Sequence, residues 1–215
     1  MLAEIVKINS DSPEASLIRY AADQIRSGEV LGMPTDTFYG LAADPFNLRA
    51  VDRVYEIKSR NRHKPLSLLI ESVDQAEELA QPLPQEFRAL ARRYWPGPLT
   101  IIVKASPKLP LKVTANTGNI AIRIPNARIP LAVVQAAHIP ITATSANLSG
   151  AGECTTAMAV RDQLRHRISI IVDGGTSPRD VASTIIDLTD QEARWRIIRE
   201  GAIPSQEISE FFAQG

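Results

Sequence analysis

Apolar positions recur along this chain at two spacings, and their alternation sets an order of elements. Ala15, Ile18, Ala21, Ala22 and Ile25 fall at helical intervals, with Pro13 as an early helical residue and Gly28 as a stop, which predicts a helix over residues 13–27. A short apolar run over 30–34 reads as a strand ending at Pro34, followed by the polar turn Thr35-Asp36-Thr37 and then a helix. In that helix Leu48, Val51 and Tyr55 share one face, and Lys58 continues the stripe three residues on. Residues 66–70 are apolar apart from Ser67, which predicts a central strand buried on both faces. Two short helices over 73–93 are broken at Pro82-Leu83-Pro84. Tyr94-Trp95-Pro96-Gly97-Pro98 then makes a sharp turn, because proline restricts its own backbone and that of its predecessor.

Strands follow at 99–103 and 120–124, separated by a loop around Pro107 and Pro110 and by the polar, flexible stretch 113–119. A helix is expected over 128–137, a strand over 139–144, a helix over 155–164 and a strand over 168–172. Residues 183–188 and 195–199 read as two strands of a hairpin, and 205–213 as a terminal helix with Ser205 as its N-cap. Interleaved helices and strands that end in consecutive strands define a single-domain α/β fold with a mixed parallel and antiparallel sheet.

Composition narrows the setting. At 215 residues, 44% hydrophobic and 22% charged, the chain is long enough to bury a substantial core. A single cysteine, Cys154, excludes an internal disulfide framework, and no Cys/His spacing matches a zinc site. The first residues lack the basic region and apolar run of a secretory signal, and no stretch approaches membrane-spanning length, so no membrane association and a cytoplasmic location are expected. The sequon Asn147-Leu148-Ser149 has no consequence in that setting.

Formal net charge is +0, yet Arg53, Lys58, Arg60, Arg62 and Lys64 stand against Glu56 alone within 53–64. Lys58 at the inward edge of its stripe and Arg60 just beyond the helix have the form of a two-pronged clamp for an anion, an ammonium beside a guanidinium suited to bidentate phosphate contacts. The competing reading is a solvated basic helix end that complements the C-terminal dipole. Arg123 interrupts an apolar run, and alternation places it either on the solvent face of an edge strand or in a site. Ser145-Ala146-Asn147-Leu148-Ser149-Gly150 follows a strand with small hydroxyl and amide groups. That pattern marks a strand end meeting a ligand, or else a helix cap or Asx turn.

Gly174-Gly175 is a turn, since neither Walker A nor G-x-G-x-x-G occurs. No hydrolase elbow, metal-binding helix or paired carboxylates stand out, and His63, His138 and His166 do not sit as a general base. What remains is hydroxyls, amides and cations at strand ends. Such equipment suits reactions accelerated by holding and neutralising phosphates.

The motifs then add up to a resemblance. P-T-D-T-F-Y-G-L from Pro34, K-S-R at Lys58 to Arg60, K-P-L from Lys64, P-G-P-L-T from Pro96, R-I-P from Arg123, S-A-N-L-S-G from Ser145, D-G-G from Asp173 and S-T-I-I-D from Ser183 stand in the order of the YrdC-like family. The resemblance covers nearly the whole chain, and K-x-R paired with S-x-N is its specific part. It implies a strongly twisted mixed sheet with flanking helices and a basic concave groove. The activity implied is synthesis of L-threonylcarbamoyladenylate and pyrophosphate from L-threonine, bicarbonate and ATP. That intermediate is used by threonylcarbamoyl transferase machinery to modify an adenosine beside the anticodon of tRNA.

By similarity, Lys58, Arg60, Ser145 and Asn147 hold the nucleotide phosphates and carry catalysis, with Asn119 and Arg199 near the nucleotide. Thr35 and Arg123 resemble threonine-binding positions, Thr142 and Ser183 are their neighbours, and Arg62, Lys64 and Thr117 are further contacts. Mg2+ is expected on the triphosphate, bound through phosphate oxygens and water with no protein ligands assigned, since no carboxylate cage is visible.

One departure stands out, Glu200-Gly201 where the family often has Pro-Gly, which sets a carboxylate beside Arg199. The chain stops soon afterwards, as in the short single-domain form of the family. Two other functions stay open: a carbamoyl-handling adenylating enzyme, since YrdC-like modules also occur in carbamoyltransferases, and an RNA-binding protein using the groove without chemistry. Against the latter stand the neutral charge and 5% aromatic content, too few rings for a stacking platform. Oligomeric state is not legible.

Overall fold

A computed structural model describes residues 3–178, 181–190 and 192–213. The mixed α/β character expected from the periodicity is present, but strand pairing is divided between two sheets. In chain order the first sheet takes β1 (Glu4–Lys7), β2 (Leu31–Met33) and β3 (Gly40–Ala42), and later β8 (Thr144–Ser145) and β9 (Ile170–Asp173), in the spatial order β1-β9-β2-β3-β8. The second holds β4 (Ser67–Leu69), β5 (Leu99–Lys104), β6 (Asn119–Arg123), β7 (Ile141–Thr142), β10 (Thr184–Asp187) and β11 (Arg196–Arg199), in the order β11-β10-β5-β6-β4-β7. β1, β9 and β2 run parallel, as do β10 with β5 and β4 with β6, and the remaining pairs are antiparallel.

The run at 139–144, expected to be one strand, is the hinge between the sheets. Thr142 pairs with Leu68 in β7, whereas Thr144 and Ser145 pair with Leu41 and Gly40 in β8. Ala143 N donates to Ser67 O at 2.8 Å and Thr142 N to Ala43 O at 2.9 Å, so both sheets grip this segment within a few residues. A ladder that changes partner midway leaves no period in the sequence. The short strands β1 and β3 also lacked a pattern of their own.

Eight α-helices lie among the described residues: α1 (Ala15–Arg26), α2 (Leu48–Lys58), α3 (Val73–Leu79), α4 (Gln85–Tyr94), α5 (Leu111–Thr114), α6 (Arg128–Ala137), α7 (Ala157–Leu164) and α8 (Ser205–Ala213). Helix α5 replaces part of the stretch expected to be flexible. Ile18, Ala21 and Ile25 of α1 and Val133 and Val134 of α6 belong to one buried cluster with Leu31, Met33 and Val172 of the first sheet. Residues 66–70 behave as expected, with Leu68 in the larger core and Leu69 in the other, one on each face. Leu48 departs from its expected place. It is exposed at the first position of α2, while Val51, Val54, Tyr55 and Lys58 form the buried face. No helix among the described residues is long and apolar enough to cross a membrane.

The last two strands form the expected antiparallel pair, whose connection includes Gln191, outside the described residues. Their far end is held by one buried hydroxyl. Thr184 Oγ1 donates to Ile203 O at 2.6 Å and accepts from Gly201 N and Ile203 N, each at 3.0 Å. Thr184→Val keeps the shape and leaves three backbone groups, two of them buried, short of a partner, so a loss of about 2–3 kcal/mol is expected in urea unfolding. Glycine is required at 201, where a Cβ would run into Ala182 O and the Ser183 carbonyl.

Candidate functional site

The end of α2 sets the site. Asn47 caps its start by accepting from Arg49 N and Ala50 N, and Ser59 at its end takes a left-handed conformation with φ of 50°. The chain therefore leaves the helix sharply, with Lys58 still on the buried face and Arg60 thrown to the side. Lys58 is 1% exposed. Its Nζ donates to Asn147 Oδ1 at 2.7 Å and Asn147 O at 3.0 Å, lies 3.4 Å from Ser145 Oγ and also meets Ser145 O. Burial, with a smaller push from the nearby Arg60 charge, lowers its pKa to about 8. The solvated-helix-end reading is thereby excluded for Lys58.

Ser145 Oγ donates to Asn147 Oδ1 at 2.7 Å, and Asn147 Nδ2 donates to Ala151 O at 2.7 Å. The basic helix end and the S-A-N strand tip thus meet in one network across the seam between the sheets. Above it opens a cleft lined by Thr35, Tyr39, Arg60, Thr100, Arg123, Ser145, Glu153, Ser183 and Arg199, among others. Arg60 is half-buried and donates to Pro65 O at 3.0 Å, which holds its guanidinium against the wall, and burial lowers its pKa.

Arg123 stands on β6, between β5 and β4, so the edge-strand reading fails. Its side chain is 6% exposed and pairs with Asp36 Oδ1 at 2.9 Å. Burial lowers its pKa while Asp36 opposes the shift. Thr35 completes the same wall: its Oγ1 donates to Phe38 O at 2.7 Å and accepts from Thr37 N at 3.1 Å, an ST turn that turns residues 35–38 around the buried pair. Across the cleft, Ser183 Oγ lies 2.9 Å from Thr100 Oγ1, and Arg199 reaches Ser183 O through Nε at 3.1 Å and through a terminal nitrogen at 2.8 Å.

Thr35, Arg60, Arg123, Ser145, Ser183 and Arg199 thus share one cleft, and Lys58 and Asn147, which do not line it, form a floor behind Ser145. Other expected contacts lie elsewhere. Thr142 is buried and ties its strand to Leu41 O at 2.9 Å. Asn119 sits at the opposite end of β6 from Arg123, paired with Lys104, and Thr117 bonds Thr114 O in the loop before it. Arg62 forms an ion pair with Asp52, and Lys64 is exposed outside the lining. Glu200 turns away from Arg199 and accepts from Ser205 N at 3.2 Å and from the Ser205 hydroxyl, capping α8.

Two lining residues take no role from the sequence: Tyr39, although it lies in the P-T-D-T-F-Y-G-L motif, and Glu153. Tyr39 donates to Gly175 O at 2.6 Å, so the D-G-G turn positions a wall of the cleft, and burial raises its phenol pKa. No group of three His, Cys, Asp or Glu side chains suited to a metal occurs among the described residues.

Cations held by backbone carbonyls, small hydroxyls and a seam between two sheets give this α/β protein a cleft whose chemistry suits an anion. The comparisons make this specific. A family model described as telomere recombination, Sua5/YciO/YrdC, matches residues 23–201, and the chain belongs to that family. A threonylcarbamoyl-AMP synthase of Pyrococcus abyssi is 38% identical over 199 residues, covering 92% of this chain and 57% of that protein. One of Bacillus subtilis is 37% identical over 203 residues, with coverages of 94% and 57%. The crystal structure of P. abyssi Sua5 complexed with L-threonine superposes with a TM-score of 0.92 at 37% identity, over 97% of this chain and 61% of that one. The chain therefore spans little more than half the length of these relatives.

Proposed function

We propose that this α/β unit, acting as one domain, makes L-threonylcarbamoyladenylate and pyrophosphate from L-threonine, bicarbonate and ATP. The observation that carries the reading is the junction of Lys58 with Ser145 and Asn147 beneath a cleft rimmed by Arg60, Arg123 and Arg199. One such site can neutralise a triphosphate at one end and orient a small zwitterion at the other. The relatives' names and the threonine complex of P. abyssi Sua5 support the same assignment.

In this reading the threonine amine and bicarbonate combine, with loss of water, to a carbamate. A carbamate oxygen attacks the α-phosphorus, the bond to the β,γ-phosphates breaks, and pyrophosphate leaves. Arg60 and the Lys58 floor meet the phosphate charge, and the Ser145 hydroxyl, turning its one proton from Asn147 Oδ1, donates to a phosphate oxygen. Arg123 keeps guanidinium donors beyond the one given to Asp36, and these take the threonine carboxylate, while the Thr35 hydroxyl lies in reach of the substrate side chain. Arg199 and Ser183 close the opposite wall. The donor set suits Mg2+ arriving with the nucleotide, since one carboxylate, Glu153, lines the cleft beside the substrate's own phosphate oxygens. Bound there, the ion supplies charge neutralisation. The product is a mixed anhydride, and a transferase must pass its acyl group to the tRNA adenosine.

The test is pyrophosphate release from ATP. Release that requires both threonine and bicarbonate is expected. Release with carbamoyl phosphate and no threonine would assign the cleft to carbamoyl transfer instead, and tRNA retention at physiological salt without adenylate formation would make it an RNA-binding surface.

A further inference from the structure

Among the described residues lining the cleft, Glu153 is the one carboxylate, set against Arg60, Arg123 and Arg199. It forms no ion pair within 4.0 Å with any of these three, although Arg123 has a partner in Asp36. Its backbone is pinned on both sides. Asn147 Nδ2 donates to Ala151 O at 2.7 Å, Gln163 Nε2 to Gly152 O at 3.0 Å and Tyr39 N to Cys154 O at 2.8 Å. The side chain is exposed, yet it is carried to the cleft by a segment that begins in the Ser145–Asn147 floor and ends on the Tyr39 wall. Its charge is felt at both cations nearest that floor and rim, opposing the effect of burial on Lys58 and on Arg199.

A fixed negative charge in an otherwise cationic cleft repels a bare triphosphate. It attracts one whose charge is reversed locally by a bound divalent cation. Small hard cations are held in this manner, by one or two carboxylates together with substrate phosphates and retained waters. Resting on the assignment of the cleft to a nucleotide, we infer that Glu153 makes the site selective for the metal-complexed triphosphate, facing the cation on the phosphates directly or through water.

Binding of ATP by calorimetry, once with excess Mg2+ and once with EDTA, in the absence of threonine and at constant ionic strength, tests this for the wild type, Glu153→Gln and Glu153→Asp. Unit charges about 10 Å apart at a near-surface effective dielectric correspond to about a tenfold change in affinity. Glu153→Gln should therefore bind metal-free ATP about tenfold more tightly and lose a similar factor of its preference for Mg2+, while Glu153→Asp keeps the preference. A wild type that binds ATP with a metal preference unchanged in Glu153→Gln overturns the inference alone. So does a fall in threonine affinity in a separate titration of Glu153→Gln with threonine, with the metal preference intact, which would give the carboxylate to the substrate ammonium. A wild type that binds neither form of ATP overturns the nucleotide assignment and the inference together.

Discussion

Lys58→Met is expected to reduce threonine-dependent pyrophosphate release by about 10²-fold or more, with the fold retained. Methionine keeps the apolar stem on the buried face of α2, where Lys58 is among the largest fully buried side chains. What disappears is the ammonium that joins Ser145 and Asn147. Without it the two residues lose their common donor, and the Ser145 hydroxyl is no longer set against a positive charge. Stability should change less than activity, because lost hydrogen bonds are offset by removal of a charge that burial disfavours.

The wild-type pH dependence follows from the same group. Its folded pKa of about 8 lies below the ordinary value of 10.5, so the folded protein gives up this proton first. The cost of burying the charge is fully present below about pH 8 and is relieved as pH rises from there toward 10.5, so this group's contribution to stability improves across that window. Nucleotide binding runs the other way. ATP affinity should fall as pH rises through about 8, because the floor of the cleft loses its charge. Calorimetry in buffers of different ionisation enthalpy should detect proton uptake on ATP binding just above that pH. In Lys58→Met both the inflection and the uptake should vanish, and their persistence would assign the titration to another group.

Much of this is legible in the sequence alone. The α2 stripe placed Lys58 on the buried face, because a residue three beyond Tyr55 falls on the same side of a helix. The order of helices and strands followed from spacing for the same reason. The pairing that builds the cleft was not readable. Ser145 reaches Lys58 because the six-residue segment 139–144 switches sheets near its end, and two-residue ladders are too short to show a period. Glu153 was invisible because nothing local distinguishes an acid that lines a cleft from one in solvent. Glu200 illustrates the opposite case. Its position next to Arg199 left open either a weakened phosphate contact or a side chain facing solvent, and it caps a helix that starts five residues later. Adjacency in sequence is a poor guide to direction once a strand ends, and here Gly201 lets the chain turn back against Ala182 and Ser183.

Arg123→Ala is expected to be a folding defect first and a substrate defect second. Arg123 and Asp36 have side chains 6% and 5% exposed, and they come from segments 87 residues apart. Deleting the guanidinium leaves the Asp36 carboxylate buried without its partner, and Asp36 Oδ2 already has none among the described residues. Breaking a buried pair from one side costs about 3–5 kcal/mol, enough to consume much of an ordinary domain's stability. Activity loss in that variant would say little about threonine. A compensated pair separates the two roles: Arg123→Met with Asp36→Leu removes both charges and retains volume, and such replacements restore or exceed the original stability. If the guanidinium also holds the threonine carboxylate, the double variant should unfold in urea near the wild-type midpoint. It should still bind ATP, and should lose threonine affinity by about tenfold to a hundredfold, the worth of a charge-assisted contact. Recovery of threonine affinity along with stability would show that the pair only braces the wall between β6 and the Thr35 turn, and the carboxylate-binding role would pass to Arg60 or Arg199, the other guanidiniums lining the cleft.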